Sequence, residues 1–264
     1  MYDFEFLRAG TIDEAVKALA EDEDAQALSG GQTLLPTMKQ RLAMPTTLVS
    51  LMAIPELRGV CTDDEGRVCI GAATTHAEVA QQAAEAYPAL AALARQIGDP
   101  AVRSRGTIGG SLANNDPSAC YPAAALGSDA LIRTNARDID AETYFEGMFA
   151  TALEPGEIVT QVVFPVPEAA AYVKFAQPAS RFALVGVFVA RFFDGVRVAV
   201  TGASEEGVYR WTEAEEALSG DFSPDAIASL SAPADGMIGD IHGSPEYRAH
   251  LVGVVARRAV AAAA

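Results

Sequence analysis

Short apolar runs alternate with helix-spaced apolar positions over the first part of the chain. Between residues 12 and 19, apolar side chains recur every three or four positions, which predicts an amphipathic helix. Apolar runs at 25–29 and 48–51 have the length of strands, and residues 33–41 between them are typical of a helix. The pattern therefore predicts a small α/β lobe over residues 1–55.

Two capping boxes indicate where helices begin. Thr11 and Glu14 form the first, and Thr75 and Glu78 form the second. In this motif the threonine side chain accepts a backbone N–H while the glutamate reaches back to the N-cap. The second box places His76 in a first helical turn, where we interpret it as a polar residue near the cap and not as a catalytic group.

Residues 56–167 mix both periods and predict a larger α+β lobe. An acidic turn at residues 63–66 predicts a hairpin that joins the flanking apolar runs. The elements predicted in this part are hairpin strands at 57–60 and 67–70, helices at 88–96 and 141–149, strands at 126–134 and 158–164, and a polar interval at 137–140. Pro165 and Pro167 stiffen the chain, so we place a domain boundary there.

The last third of the chain has the pattern of an antiparallel sheet. Apolar runs at 172–176 and 184–193 are followed by Asp194-Gly195, a dipeptide that favours a tight hairpin, and by alternation over 196–201. An alanine-rich helix is predicted over 247–264. We therefore expect a third domain at 168–264 and an α+β fold class for the whole chain.

Charge and hydropathy restrict the partners and the location that the sequence is compatible with. The 264 residues include 19 basic and 35 acidic side chains, a formal net charge of −16, which disfavours nucleic acid as a partner. No apolar run reaches the roughly 18 residues of a membrane span. The acidic N-terminus lacks the features of a signal peptide, so we expect a cytoplasmic protein without a membrane span.

The residues that usually carry acid–base or metal chemistry are scarce. The three cysteines, Cys61, Cys69 and Cys120, show no C-x-x-C spacing and are expected to be reduced thiols. This spacing disfavours an iron–sulfur cluster or a structural zinc in the chain, and the three histidines form no catalytic motif. We expect no metal site and no catalytic acid or base, so redox work would need a bound cofactor.

Two Gly-Gly pairs, Gly30-Gly31 and Gly109-Gly110, lie between apolar residues and polar side chains. Each alone is typical of a tight turn, and the two together indicate a clamp that closes on a diphosphate from two sides. No G-x-G-x-x-G follows the first strand and no G-x-x-x-x-G-K-[ST] occurs, which disfavours a Rossmann site and a nucleoside triphosphatase. The expectation is a dinucleotide held by loops and not by one helix terminus.

Four segments resemble the FAD-binding medium subunit of molybdenum hydroxylases, the family of carbon monoxide dehydrogenase and xanthine dehydrogenase. They read "SGGQTLLPTMKQRLAMPTTLVSL", "GAATTHAEV", "IGDPAVRSRGTIGGSLANNDPSACYPAAAL" and "FAQPASRFALVGVFVA". The resemblance extends from about Met1 to Ala264. It implies a two-lobed PCMH-like FAD-binding domain followed by a C-terminal domain of the carbon monoxide dehydrogenase flavoprotein type.

The resemblance also implies which residues bind FAD. Leu28–Leu35 and Thr107–Ser111 correspond to the two segments that contact the diphosphate, and Lys174 corresponds to a lysine beside the flavin. The implied set is Leu28, Ser29, Gly30, Gly31, Gln32, Thr33, Leu34, Leu35, Thr75, Ile97, Thr107, Ile108, Gly109, Gly110, Ser111, Asn115, Asp116, Val159 and Lys174.

Further positions near the flavin carry weaker expectations. Ser180, Arg181 and Phe182 also approach the ring in this reading, and Lys174 is almost as well explained as an ordinary residue at a strand end. Asp116 is expected to accept from a hydroxyl or a backbone N–H, because a carboxylate repels phosphate oxygens. Many relatives carry an aspartate at the position of Cys120, so this chain departs from the family at one polar contact.

The implied activity is electron transfer within a larger complex. FAD in this chain would receive electrons from the iron–sulfur clusters of a small subunit, and a large molybdopterin subunit would oxidise the substrate, in a dimer of heterotrimers. NAD, a quinone or oxygen would be the acceptor. Two alternatives stay open at this point: a stand-alone flavin oxidoreductase of the PCMH-like fold, and a scaffold that has lost its cofactor.

Overall fold

The N-terminal part is a three-stranded parallel sheet in the order β1-β3-β2. A computed structural model describes residues 1–263. The elements are β1 (Glu5–Arg8), α1 (Ile12–Glu21), β2 (Gln26–Leu28), α2 (Leu34–Lys39) and β3 (Thr47–Ser50), followed by a 3₁₀ turn at Pro55–Leu57. The apolar side of α1 packs against β3 around Ala15 and Val49, as its helical spacing predicts.

The first predicted capping box is only half formed. The Thr11 side chain accepts the Glu14 N–H at 3.1 Å, as expected. The Glu14 carboxylate, however, accepts the N–H of Gly10 at 2.7 Å and not that of Thr11. In the second box both bonds are present between Thr75 and Glu78, so this prediction is confirmed.

The middle part is a five-stranded antiparallel sheet in the order β4-β5-β10-β6-β7, covered by short helices. Its elements are β4 (Val60–Thr62), β5 (Val68–Gly71), α3 (His76–Gln82), α4 (Pro88–Arg95), α5 (Pro100–Arg103), α6 (Ile108–Asn114), α7 (Tyr121–Gly127), β6 (Leu131–Thr134), β7 (Asp138–Asp140), α8 (Ala141–Tyr144), β8 (Phe145–Gly147), β9 (Ala150–Thr151) and β10 (Val159–Phe164).

Four sequence predictions in this part are wrong at particular residues. The hairpin strand predicted over 57–60 begins only at Val60, because Leu57 ends the 3₁₀ turn at Pro55–Leu57. The strand predicted over 126–134 begins only at Leu131, because Leu126 and Gly127 end the buried helix α7 and a turn follows at 128–130. The polar interval at 137–140 contains strand β7, in which Ile139 is the only apolar residue. The helix predicted over 141–149 ends at Tyr144, and a small β8–β9 hairpin replaces its second half.

The last part is a four-stranded antiparallel meander with helices on one face. Its elements are β11 (Ala169–Ala176), β12 (Ala183–Phe192), β13 (Gly195–Ser204), β14 (Gly207–Arg210), α9 (Thr212–Gly220), a 3₁₀ turn at Pro224–Ile227 and α10 (Pro245–Ala263). Phe192 pairs with Gly195, so the predicted Asp194-Gly195 hairpin is confirmed. The mixed α+β class expected from the sequence is confirmed as well.

Strand β12 lies between two apolar cores. Phe188 and Ala190 face the core of the middle part, where they pack with helices such as α4 and α7. Val187 and Val189 face the opposite core, which is closed by α9 and α10. None of the helices within residues 1–263 combines the length and hydropathy that crossing a bilayer requires.

Candidate functional site

A cleft of about 750 Å³ opens where the three parts of the chain meet. Its walls come from the β2–α2 segment, the α5–α6 segment, the start of β10 and the β11–β12 turn. This volume is within the roughly 300–1,000 Å³ of small-molecule sites. Both glycine pairs predicted from the sequence line it.

The first glycine pair lies in the loop between β2 and α2. Gly31 has φ +70°, a left-handed conformation that a residue with a Cβ adopts only with strain. A Cβ on Gly30 would lie 2.1 Å from the Arg105 carbonyl oxygen, so the two backbones touch there. Among residues 1–263, no acceptor pairs with the backbone N–H groups of Gly30, Gly31 and Gln32. A run of unpaired N–H donors at a cleft suits an anionic group such as a diphosphate.

The second glycine pair is not the hairpin loop that the sequence predicts. Gly109 and Gly110 occupy the first turn of α6, and the side chain of the N-cap residue Thr107 accepts the Gly110 N–H at 3.2 Å. Gly109 is buried against Ala72, where a Cβ would lie 2.5 Å from the alanine Cβ. Gly110 is exposed to the cleft. A helix terminus therefore supplies one side of the site, where the sequence predicted loops alone.

A hydrogen bond joins the two glycine segments directly. Ser29 Oγ and Thr107 Oγ1 are 2.8 Å apart although 78 positions separate them in the sequence. Either hydroxyl can donate in this pair. Thr107 Oγ1 also accepts the Gly110 N–H, and Ser29 Oγ lies 3.5 Å from Met52 Sδ. The structure thus brings the two predicted segments together at one end of the cleft.

His76 closes the cleft beside the second segment. Its imidazole is 5% exposed, and a Cβ on Gly106 would lie 2.5 Å from His76 Nε2. Burial, and secondarily the positive charge of Arg103, lowers the pKa of His76 to about 4. His76 is therefore neutral at physiological pH, and its buried Nδ1 has no hydrogen-bond partner among residues 1–263.

Lys174 also lines the cleft, where its side chain is held in place. Its ammonium donates to the carbonyl oxygens of Gln96 at 2.8 Å and Arg181 at 2.7 Å, and it lies 3.6 Å from the sulfur of Cys120. The ion pairs formed within residues 1–263 do not include Lys174. The cleft therefore contains a positive charge of fixed position that forms no ion pair with a carboxylate of residues 1–263.

Most of the residues implied by the resemblance line the cleft, but a few do not. Those that line it are Leu28, Ser29, Gly30, Gly31, Gln32, Thr33, Leu34, Ile97, Thr107, Gly109, Gly110, Ser111, Asp116, Val159 and Lys174, and also Ser180, Arg181 and Phe182. Asp116 accepts the backbone N–H of Ser118 at 2.8 Å, which agrees with the acceptor role expected for it.

Leu35, Thr75, Ile108 and Asn115 lie outside the lining. Ile108 is fully buried in the core, and Thr75 caps α3. The Asn115 amide donates to the carbonyl oxygens of Gly147 and Ala150 at 2.7 and 2.8 Å, so it anchors the β8–β9 hairpin instead of facing the cleft. Its αL backbone ends α6, a role that asparagine commonly fills.

The sequence analysis passed over several lining residues. Ala72, Val102 and Ile158 are apolar parts of the wall that become neighbours only when β5, α5 and β10 assemble. Single apolar residues carry no sequence signal for such a role. His76 was identified near a helix start, but its burial against Gly106 depends on a long-range contact.

The chain matches a known family over more than half its length. A family described as "FAD binding domain in molybdopterin dehydrogenase" matches residues 2–167, which include both glycine segments.

Two curated relatives match almost the whole chain. The nicotine 6-hydroxylase medium subunit of Paenarthrobacter nicotinovorans is 35% identical over 95% of this chain and 93% of its own length. The carbon monoxide dehydrogenase medium chain of Afipia carboxidovorans is also 35% identical, over 97% of this chain and 95% of that protein.

Solved structures agree with this assignment. A chain of reconstituted carbon monoxide dehydrogenase from Oligotropha carboxidovorans superposes with a TM-score of 0.89 at 31% identity, covering 99% of this chain and 98% of that one. A chain of quinoline 2-oxidoreductase from Pseudomonas putida 86 gives 0.89 at 28% identity, covering 99% and 97%. The chain belongs to the family of FAD-binding medium subunits of molybdenum hydroxylases.

Proposed function

We propose that this chain transfers electrons through FAD between the iron–sulfur clusters of a partner subunit and an external acceptor. The observation that carries the proposal is the meeting of the two glycine segments at one cleft, joined by the 2.8 Å contact between Ser29 and Thr107. A run of unpaired N–H donors and a fixed ammonium in the same cleft suit an anionic cofactor.

The residues of the cleft divide the binding of FAD between them. The N–H groups of Gly30, Gly31 and Gln32 would donate to the diphosphate, and Gly110 would allow its close approach because it has no Cβ. Ile97 and Val159 supply apolar surface for the ring. Bound FAD supplies electron exchange in single or paired steps.

Lys174 tunes the site electrostatically. Its ammonium is positioned by two carbonyl oxygens, so it need not reorganise when negative charge is added to the cleft. A positive charge near the ring favours the reduced form of the cofactor by Coulomb attraction. No acid or base is assigned, since His76 is buried and neutral beside the second segment.

The partners are proposed from the relatives. Proteins called medium subunits or medium chains belong to complexes that also contain other chains. We propose a large molybdopterin subunit that oxidises the substrate, a small iron–sulfur subunit, a dimer of such heterotrimers in the cytoplasm, and NAD, a quinone or oxygen as acceptor. Within this chain, residues 1–55 and 56–167 would form the two lobes that bind FAD, and 168–264 the C-terminal domain.

A visible spectrum of the purified full-length chain tests the cofactor. A flavin absorption band, or its appearance after incubation with FAD, is the expected result. A chain that stays colourless after incubation contradicts the proposal.

Purification of the chain with its native partners tests the proposed path of electron transfer. Molybdenum and iron in the complex, with rapid bleaching of the flavin band when substrate is added, support the electron-transfer role. A flavin-containing chain that purifies alone and oxidises a substrate by itself would identify a stand-alone flavin oxidoreductase instead.

A further inference from the structure

Two of the three cysteines face each other across the β4–β5 hairpin. Cys61 in β4 is directly opposite Cys69 in β5, with Val60 opposite Ile70 on one side of the pair. Residues directly opposite each other in an antiparallel pair project their side chains to the same face of the sheet. The two thiols are therefore neighbours although seven residues separate them in the sequence.

The backbone bonds on either side identify the kind of pair. Gly71 N–H donates to Gly59 at 3.0 Å, and Asp63 N–H donates to Arg67 at 3.0 Å. Because hydrogen-bonded pairs alternate along an antiparallel ladder, Cys61 and Cys69 form a hydrogen-bonded pair, in which the Cα atoms are about 5.5 Å apart. This separation is within the range of about 4.4–6.8 Å that a disulfide spans.

The two thiols have different surroundings. Cys61 is exposed on an edge strand of three residues, whereas Cys69 is buried, with its sulfur 3.8 Å from the Asp63 carboxylate. Burial, then the charge of Asp63 and then that of Cys61, raises the pKa of Cys69, while Arg133 and Arg67 oppose the shift. Cys61 is therefore the accessible sulfur at which exchange begins, and Cys69 is the resolving thiol.

We propose that Cys61 and Cys69 form a reversible disulfide when the chain meets a small-molecule disulfide as oxidant. The Cys61 thiolate attacks the oxidant, forms a mixed disulfide and releases one thiol. Cys69, on losing its proton, then attacks the Cys61 sulfur and releases the second thiol. Two protein thiols are oxidised to one disulfide, and the oxidant is reduced to two thiols.

The position in the ladder explains why the bond would be reversible. Opposite Cβ atoms in a hydrogen-bonded pair lie near about 5.5 Å, beyond the roughly 3.5–4.5 Å of a relaxed disulfide. The short edge strand β4 must shift inward to close this gap, and strained disulfides are the easily reduced ones. The pair thus suits a redox-sensitive site better than a permanent crosslink.

The proposed disulfide is separate from the cleft. Neither Cys61 nor Cys69 lines it, whereas Cys120 does. Crosslinking is therefore expected to leave the flavin content of the protein unchanged, and this expectation does not depend on the proposed function.

Peptide mapping under non-reducing conditions tests the inference. The purified full-length chain is incubated with oxidised glutathione, and a peptide that joins Cys61 to Cys69 is expected, with accessible thiols in denaturant falling from three to one. Reduced glutathione should restore all three. Cys120→Ser should still form the crosslink, and Cys61→Ser and Cys69→Ser should not.

The other outcomes overturn the inference. A stable glutathione adduct on Cys61, a dimer linked through Cys61 that also forms in Cys69→Ser, or three free thiols after oxidation would each show that the two sulfurs do not reach each other. Because Cys61 is exposed, Cys61→Ser is expected to fold normally and provides the matched control should Cys69→Ser be unstable.

Discussion

The two Gly-Gly pairs look alike in sequence and differ in structure. Gly30 and Gly31 lie in an irregular loop, and one of them has a left-handed backbone. Gly109 and Gly110 lie in the first turn of a helix with ordinary helical geometry. The same dipeptide therefore meets different physical requirements in the two segments that the Ser29–Thr107 hydrogen bond joins.

Within each pair the two glycines also have separate roles. Gly30 and Gly109 allow close packing, the first on the backbone of Arg105 and the second on Ala72. Gly31 supplies the left-handed turn, whereas a Cβ at Gly110 would meet two side chains, the Thr107 hydroxyl at 3.0 Å and the Ser29 Cβ at 3.6 Å, and no backbone atom outside its own helix. The comparison teaches that the fold restricts an added side chain least at Gly110, in the wall of the cleft.

Gly30→Ala should have the largest effect on stability. Its Cβ would lie 2.1 Å from a backbone oxygen that cannot move without separating the two segments. We expect the free energy of unfolding to fall by at least about 3 kcal/mol, with loss of FAD binding, as measured by urea denaturation and flavin absorbance.

Gly220→Ala is the matched control for Gly30→Ala. No atom lies within 4 Å of a Cβ at Gly220, so the free energy of unfolding should change little. Equal stability of the two variants would show that the contact between Gly30 and Arg105 does not exist in solution.

A fall in pH should lower the free energy of unfolding through protonation of His76, which packs against Gly106 just before the second segment. The pKa of His76 is lowered from its ordinary value of 6.5 to about 4, so the unfolded chain binds more protons than the folded one between these values. Stability is fully present above pH 6.5 and is lost as the pH falls. From pH 7 to pH 5 this group should cost about 2 kcal/mol.

His76→Gln isolates that contribution. Carboxylates titrate in both proteins, so the informative quantity is the difference between the two slopes of unfolding free energy against pH. Parallel slopes from pH 7 to pH 5 would mean that His76 is not buried in a neutral form.

A double-mutant cycle on Ser29 and Thr107 measures the link between the pairs. Ser29→Ala and Thr107→Ala each remove the 2.8 Å bond, and Thr107→Ala also removes the cap of α6. We expect a coupling free energy of about 1 kcal/mol from urea denaturation, because the loss of the cap cancels in the cycle. Purely additive effects of the two substitutions on the unfolding free energy would show that the two hydroxyls are not in contact.

Gly110→Ala should have the smallest effect on stability. The added methyl meets two side chains, the Thr107 hydroxyl at 3.0 Å and the Ser29 Cβ at 3.6 Å, and no backbone atom outside its own helix, so the unfolding free energy should change by less than about 1 kcal/mol. Flavin content should nevertheless fall strongly, because the methyl occupies the position where the diphosphate would approach. Normal flavin content in this variant would show that the second segment is not part of the FAD site.

Local patterns in the sequence were sufficient for some elements. Strands β11 to β13 follow from the apolar runs at 172–176 and 184–193, the alternation over 196–201 and the Asp194-Gly195 turn, which are local signals. The glycine segments could be identified because their residue types are unusual. That the two segments come together does not follow from local patterns, because their contact depends on how three sheets assemble.

Other features carry no local signal. Helix α7 is buried on every side, so its apolar run has no helical period, and its last two residues, Leu126 and Gly127, were included in the predicted strand. Strand β7 has one apolar residue between two exposed aspartates, which is too few for alternation to be visible. The contact of Lys174 with Gln96 and Cys120 joins residues far apart in the chain and follows only from the assembled fold.

Strand β12 has a consequence for anyone who shortens this protein. The family match ends at residue 167, which suggests a convenient place to cut, yet Tyr172, Phe188 and Ala199 complete the interior on which α4 and α7 rest. A fragment ending at 167 would expose this apolar surface to water and would be expected to aggregate.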